Sequence, residues 1–341
     1  MNVKHEILRS CLLAALLSSA AGCGGGGGSD DTVKTGAASS GSSSYTSANS
    51  SRSSSSQGTS SSNNSSSQGT SPSNSSSSRG VSSSSSSSSS GSTLNSSKGC
   101  GTSALFSDGK YSLLSDGVTR QFWIKLPANY NKNQAYPLVV ALHWSGGQAT
   151  DVYDGNSWAS QKAFFGLKEQ YGDTAVFVAP DGLDKGWANT NDRDIHFIQT
   201  MVEQIQQGLC LDSQHIYATG FSFGGMMSNA IGCQMGDTFR AVAPMSGSLW
   251  SGCTNSSNKV AAILFHSKAD AVVPYKNGEE ARDKYLAKNS CSTTTITSSN
   301  GCVEYQGCDA KNPVVWCGYE DGGHWPPSFS AQETKKFFDR F

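Results

Sequence analysis

Ser222 stands at the centre of Gly220-Phe221-Ser222-Phe223-Gly224, entered by the apolar, β-branched run His215 to Thr219 and left by a helix-forming run to Ala230. A serine hydroxyl attacks only when a neighbouring base removes its proton. A strand-to-helix corner exposes that hydroxyl, and glycines two residues to either side keep side chains clear of the turn. The helix that follows also aims free amide N–H groups at any anion formed there. The pentapeptide alone equally describes an ordinary surface turn in a chain so rich in glycine and serine. Its weight comes from two other residues in suitable places. Asp270 follows the apolar run Val260 to Phe265 by a few positions, where a carboxylate can orient a base, although a lone aspartate there also suits a solvated turn. His324 lies in the glycine-rich loop Gly322-Gly-His-Trp-Pro326, after the run Val314-Val-Trp316. Of the six histidines, His5 is near the N-terminus, and His143, His196, His215 and His266 fall outside the position required of the base. Asp321 and Asp181 are the competing candidates for the acid.

Acyl transfer through a tetrahedral intermediate also needs two donors for the oxyanion, each worth about 2.7–4 kcal/mol. The N–H of Phe223 is the first. The second is expected from the loop Leu142-His-Trp-Ser-Gly-Gly147, as Trp144 or Ser145, with His143 bracing that loop. No H-E-x-x-H or C-x-x-C spacing suggests a metal.

These residues need a scaffold that brings distant loops together. Tyr136 to His143, Thr174 to Ala179, Ile216 to Thr219, Ala241 to Pro244 and Val260 to Phe265 are continuous apolar runs, as expected of strands covered on both faces. Arg120 to Leu126 alternates like a more exposed strand. Helix-length segments intervene at 158–170, 192–207, 223–231 and 278–289, and one more follows at 332–340. The alternation predicts an α/β fold, a mostly parallel central sheet with helices on both faces, whose ligands bind beyond the carboxyl ends of the strands. Asp192 and Asp194 are candidates for shaping the site, but at the start of the helix over 192–207 they read rather as a cap and a first-turn acid.

Length and composition divide the chain further. Residues 1–22 carry Lys4 and Arg9 and then a short apolar stretch ending in Ala20-Ala-Gly-Cys23, the anatomy of a signal peptide and too short for a bilayer span. Residues 23–98 are glycine and serine tracts that cannot bury a core and read as a tether with a mean reach on the order of 50 Å. Residues 99–341 form the expected catalytic domain. A net charge of −1 with 15% charged residues offers no basic stripe for nucleic acid. Eight of the ten cysteines fall at 100, 210, 233, 253, 291, 302, 308 and 317, an even number behind an export signal, so disulfides are expected. A hairpin of Val303 to Tyr305 with Val314 to Trp316 sets Cys302 opposite Cys317. Cys291 with Cys308 and Cys233 with Cys253 are further candidate pairs.

Taken block by block, Asp181 to Asn189, Gly220 to Met227, Phe239 to Gly247, Asp270 with Val272-Val-Pro-Tyr275, and Gly322 to Pro326 resemble the esterases of carbohydrate esterase family 1. Within it they are most similar to feruloyl esterases, which are related to polyhydroxybutyrate depolymerases. The resemblance spans most of residues 100–341. It implies an α/β-hydrolase fold, no cofactor and no metal, and hydrolysis of ferulate esters on plant cell-wall arabinoxylan. It transfers Ser222, Asp270 and His324 as nucleophile, acid and base. Trp144 departs from the glycine more usual in that loop and leaves the second oxyanion donor open. Trp144 and Trp325 are candidate walls for a planar phenolic ring. Acetylxylan esterases and polyester depolymerases share this machinery, and a surface binding protein built on an inactive hydrolase fold is the alternative from another class. Ala20 to Cys23 also resembles a lipobox, which implies lipidation of Cys23. In lipoproteins an aspartate after the cysteine marks inner-membrane retention, and Gly24 stands there instead, so the expectation is an outer-membrane anchor with the membrane reached only through lipid; release by ordinary signal peptidase is the alternative to lipidation.

Overall fold

The apolar runs become the interior of one twisted sheet. The computed structural model describes residues 95–254 and 257–341, so the expected signal segment, Cys23 and nearly all of the tether lie outside the described residues. Ten strands pair in the order β1 (Gly109–Ser115), β2 (Val118–Lys125), β4 (Val176–Pro180), β3 (Tyr136–Leu142), β5 (Leu211–Phe221), β6 (Ala241–Met245), β7 (Ala261–Ser267), β10 (Val314–Tyr319), β9 (Val303–Tyr305) and β8 (Thr295–Thr297). The six from β4 to β10 run parallel, and the two pairs at each edge are antiparallel.

Side chains on a strand alternate between faces, and β3 shows what this does here. Leu138, Val140 and Leu142 enter one apolar cluster, while Val139 and Ala141 enter another on the opposite face. The first cluster is closed by α3 (Arg193–Gly208), α4 (Phe223–Gln234) and α5 (Tyr275–Lys288). The second is closed by α1 (Ala149–Asp154), α2 (Leu167–Tyr171) and α6 (Ser330–Phe338). In α3 the buried residues Ile195, Ile198, Met201, Val202 and Ile205 fall at helical spacing and face the sheet. The result is the α/β-hydrolase architecture, in which every parallel strand ends toward the same edge.

One expected helix is largely absent. Between 158 and 170 only α2 is α-helical, and it is preceded by a 3₁₀ turn, Ala163–Gly166, in which Phe164 and Phe165 take left-handed φ values of 53° and 56°. The apolar spacing that suggests a helix there instead serves to turn both rings into the second cluster. The short edge strands β1 and β8 and the helix α1 were not expected. Their sequences are polar or brief, and β8 is exposed throughout.

Four disulfides join Cys100 to Cys210, Cys233 to Cys253, Cys291 to Cys308 and Cys302 to Cys317. The last continues the β9–β10 register, in which Trp316 faces Val303. Cys100–Cys210 was not paired from sequence because its partners lie 110 residues apart. It fastens the entering chain to the start of β5, where Ser96 also bridges Asp212. Such a set of bonds belongs to an exported protein.

Candidate active site

Three loops at the carboxyl edge of the sheet converge on Ser222. The serine sits between β5 and α4 with φ 56° and ψ −117°, a conformation that costs a non-glycine residue roughly 1–3 kcal/mol. Its own N–H is held by the Met245 carbonyl at 2.9 Å. The corner is tight enough to require both glycines. A Cβ on Gly220 would lie 2.5 Å from the Gly224 backbone, and one on Gly224 would lie 2.1 Å from the Leu142 carbonyl oxygen. That second approach presses the end of β3 and the His143–Gly147 loop against the first turn of α4. Phe223 opens α4, so its N–H has no partner within the helix and carries the positive end of the helix dipole.

Asp270 and His324 arrive from the loops after β7 and β10. One carboxylate oxygen of Asp270 accepts the N–H groups of Val272 and Val273 at 2.9 and 2.8 Å, while the other lies 2.7 Å from Nδ1 of His324. Nε2 of the same imidazole is 2.8 Å from the Ser222 Oγ. Ser267 ties the two loops together by donating its hydroxyl to the Asp321 carbonyl. Neither rival acid is hydrogen-bonded to the imidazole. Asp181 accepts the Ala149 N–H at 2.6 Å, and it is Asp270, not Asp321, that meets the imidazole. With Nδ1–H directed at a carboxylate, Nε2 presents its lone pair to the serine proton. A serine held in this way can act as a nucleophile.

His143 braces the loop. Its Nε2 accepts the Gly182 N–H at 2.9 Å, which requires the proton to sit on Nδ1, and Nδ1 donates to the Trp144 carbonyl at 2.8 Å. Trp187 donates its indole N–H to the His143 carbonyl. His266 is also buried and donates Nε2–H to the Val273 carbonyl at 2.8 Å, beside Asp270. Loss of solvent is the main reason both imidazoles have pKa values below the usual one. The unfolded chain therefore takes up protons near pH 6.5 that the folded chain refuses, and stability falls as pH drops through that value. The thermal midpoint should be lower at pH 5 than at pH 7, with a shallower slope in His266→Gln, whose amide can still donate to Val273. Equal slopes in the two proteins would exclude the buried His266 as a source.

Several roles differ from expectation. Trp144 is only 4% exposed and packs under Gly147 and against Phe165, so it offers little surface to a ligand. The exposed aromatic surface belongs to Trp325, at 44%, and to Trp158, at 53%, whose rings meet edge to face with centroids 4.9 Å apart. Trp158 also approaches Phe221, which packs on the His324 ring. Trp158 escaped notice because it lies in the segment misread as helix. Asp192 occupies the cap position of α3 but makes no capping bond, because its residue is left-handed. Asp194 is more than a first-turn acid. Fully buried, it pairs with Arg120 at 2.7 Å and accepts the Asn189 N–H, fixing the loop before α3. Among the described residues no cluster of histidine, cysteine or carboxylate side chains could hold a metal ion.

The chain is similar to known proteins. A family model described as Phospholipase/Carboxylesterase matches residues 178–305. The chain is similar to a probable feruloyl esterase C of Aspergillus niger, 35% identical over 66% of this chain and 82% of that one. It is also similar to feruloyl esterase D of Neurospora crassa, 32% identical over 71% of this chain and 90% of that one. Among solved structures, the acetyl xylan esterase of Aspergillus awamori shares the fold with a TM-score of 0.51 at 15% identity, covering 68% of this chain and 99% of that one. Identity at this level across four-fifths or more of the relatives' length places the chain in the feruloyl esterase family, and it is a carboxylic ester hydrolase.

Proposed function

We propose that this esterase releases ferulate and related hydroxycinnamates from plant cell-wall arabinoxylan through an acyl-enzyme on Ser222. The observation that carries the reading is the Ser222–His324–Asp270 relay, with contacts of 2.8 and 2.7 Å, beside the exposed pair Trp158 and Trp325. The Ser222 Oγ attacks the ester carbonyl as Nε2 of His324 takes its proton, and Asp270 stabilises the resulting imidazolium. The oxyanion rests on the Phe223 N–H and on that of Trp144 or Ser145. His324 then returns the proton to the departing sugar hydroxyl. Water, deprotonated by the same imidazole, attacks the acyl carbonyl, and the imidazolium passes its proton to the Ser222 Oγ as the acid leaves. The two tryptophans, set at right angles, supply an exposed apolar corner against which a phenolic ring can pack.

Parallel assays on methyl ferulate, acetylated xylan and a hydroxybutyrate polymer test this substrate choice. Ferulate release should exceed acetyl release by at least about tenfold in kcat/KM, the scale that a few pocket contacts supply. Preferred acetyl or hydroxybutyrate release would reassign the substrate, and inactivity on all three would favour a binding protein.

The Ala20 to Cys23 segment supports lipidation of Cys23, with an outer-membrane anchor holding the enzyme where oligomeric wall fragments arrive. Cys23→Ser should move the protein from the membrane fraction to the soluble one. Identical fractionation of the two forms would favour plain secretion.

A further inference from the structure

A cavity of about 310 Å³ lies beside the His143–Gly147 loop, and its walls include none of Ser222, Asp270 and His324. That volume is at the lower end of small-molecule sites. Thr119 and Gln121 of β2, Gln148, and the segment Asp181 to Lys185 after β4 supply most of the lining. The character of the wall narrows the ligand. Arg120 is already paired with Asp194 and Asp184 approaches Arg193, which leaves Asp181 opposite Lys185, with a hydroxyl and two primary amides between them. An anion would meet Asp181, a cation would meet Lys185, and no aromatic face is offered to a ring. A neutral molecule dense in hydroxyls can use donors and acceptors alike. Arg120, 2% exposed, stiffens this wall by donating to the Asp181 carbonyl at 3.1 Å while it pairs with Asp194.

The wall is joined to the loop expected to supply the second oxyanion donor. Gly182 donates to His143 at 2.9 Å, and Gly146 donates to the Lys185 carbonyl at 2.8 Å. Gly186 lies so close to the Phe223 ring that a Cβ there would come within 2.8 Å of it. The segment that lines the cavity therefore also fixes the loop and the helix start that face the ester. Asp184 and Lys185 hold left-handed φ values of 57° and 53°, strain that ordinary loops avoid.

We propose that this cavity is a carbohydrate subsite, which receives sugar residues on the alcohol side of the scissile ester. The proposal rests on the esterase reading above and extends it to the recognition of the polymer. Its test uses Gln121→Ala and Lys185→Ala. Neither removes a backbone bond, and alanine bears the same φ penalty as lysine. The readout is the ratio of kcat/KM for a feruloylated arabinoxylo-oligosaccharide to that for methyl ferulate, which carries no sugar. Each variant should lower that ratio about fivefold, the equivalent of one hydrogen bond of about 1 kcal/mol. In a second arm, the Ser222→Ala protein is titrated calorimetrically with the same oligosaccharide stripped of ferulate. Binding that weakens when Lys185→Ala is added supports the subsite. Unchanged ratios in both variants, or a titration indifferent to Lys185, would overturn it. If the wild type cleaves no hydroxycinnamate ester, the substrate reading fails, and the titration still decides whether the cavity holds sugar.

Discussion

Replacing Ser222 by alanine should lower kcat by about 10⁶-fold, the scale of loss when a relay serine is removed. The hydroxyl is the one group at the strained corner that can form the acyl bond, and His324 Nε2 already stands 2.8 Å from it. Little else should change. Alanine retains the Ser222 backbone, its bond to the Met245 carbonyl and the close packing of Gly220 and Gly224. The strain at φ 56° is equally borne by alanine, so the thermal midpoint should stay within a few degrees of wild type. Activity within tenfold of wild type in a folded variant would remove Ser222 from the mechanism.

Asp270→Asn should lower kcat by about 10⁴-fold, an effect larger than the loss of a charge at the surface and smaller than the loss of the nucleophile. The reason lies in how the carboxylate is held. Val272 and Val273 both donate N–H groups to one oxygen, so the amide of asparagine must turn its own oxygen toward them. Its NH₂ group then faces Nδ1 of His324, which must become an acceptor. The imidazole proton moves to Nε2, and the lone pair that would take the Ser222 proton is gone. The activity of this variant should recover at high pH less than that of Asp270→Ala, which leaves the tautomer free to exchange. A loss below about a hundredfold in Asp270→Asn would show that another group orients the imidazole.

Much of this arrangement could be read from sequence because its constraints are local. The glycines around Ser222, the apolar strands before Asp270 and His324, and the alternation of strand with helix each leave a short, legible pattern. The cysteine hairpin is of the same kind, since Cys302 and Cys317 are neighbours through one turn of chain. What escaped was set by partners distant in sequence. Arg120 and Asp194 form a buried pair across 74 positions, and neither position alone differs from a surface charge. Trp158 was hidden by an apolar spacing that fits a helix, whereas Gly155 ends α1 in the left-handed region and two phenylalanines then turn inward. The edge strand β8 has no buried residue to mark it.

The Cys100–Cys210 bond also decides how the protein bears load. A pull on the chain ahead of Asn95 first meets the Ser96–Asp212 bridge and then the covalent link to the start of β5. While that link is intact, the chain between these cysteines, which lie 110 positions apart, cannot be drawn out, and roughly 400 Å of extended chain is withheld. That shielded length includes β1 to β4 and the whole His143–Gly147 loop. Force is handed directly to a central strand, past the parts that shape the oxyanion donors and the polar cavity. A reducing environment would undo that protection and expose those parts to stretching first.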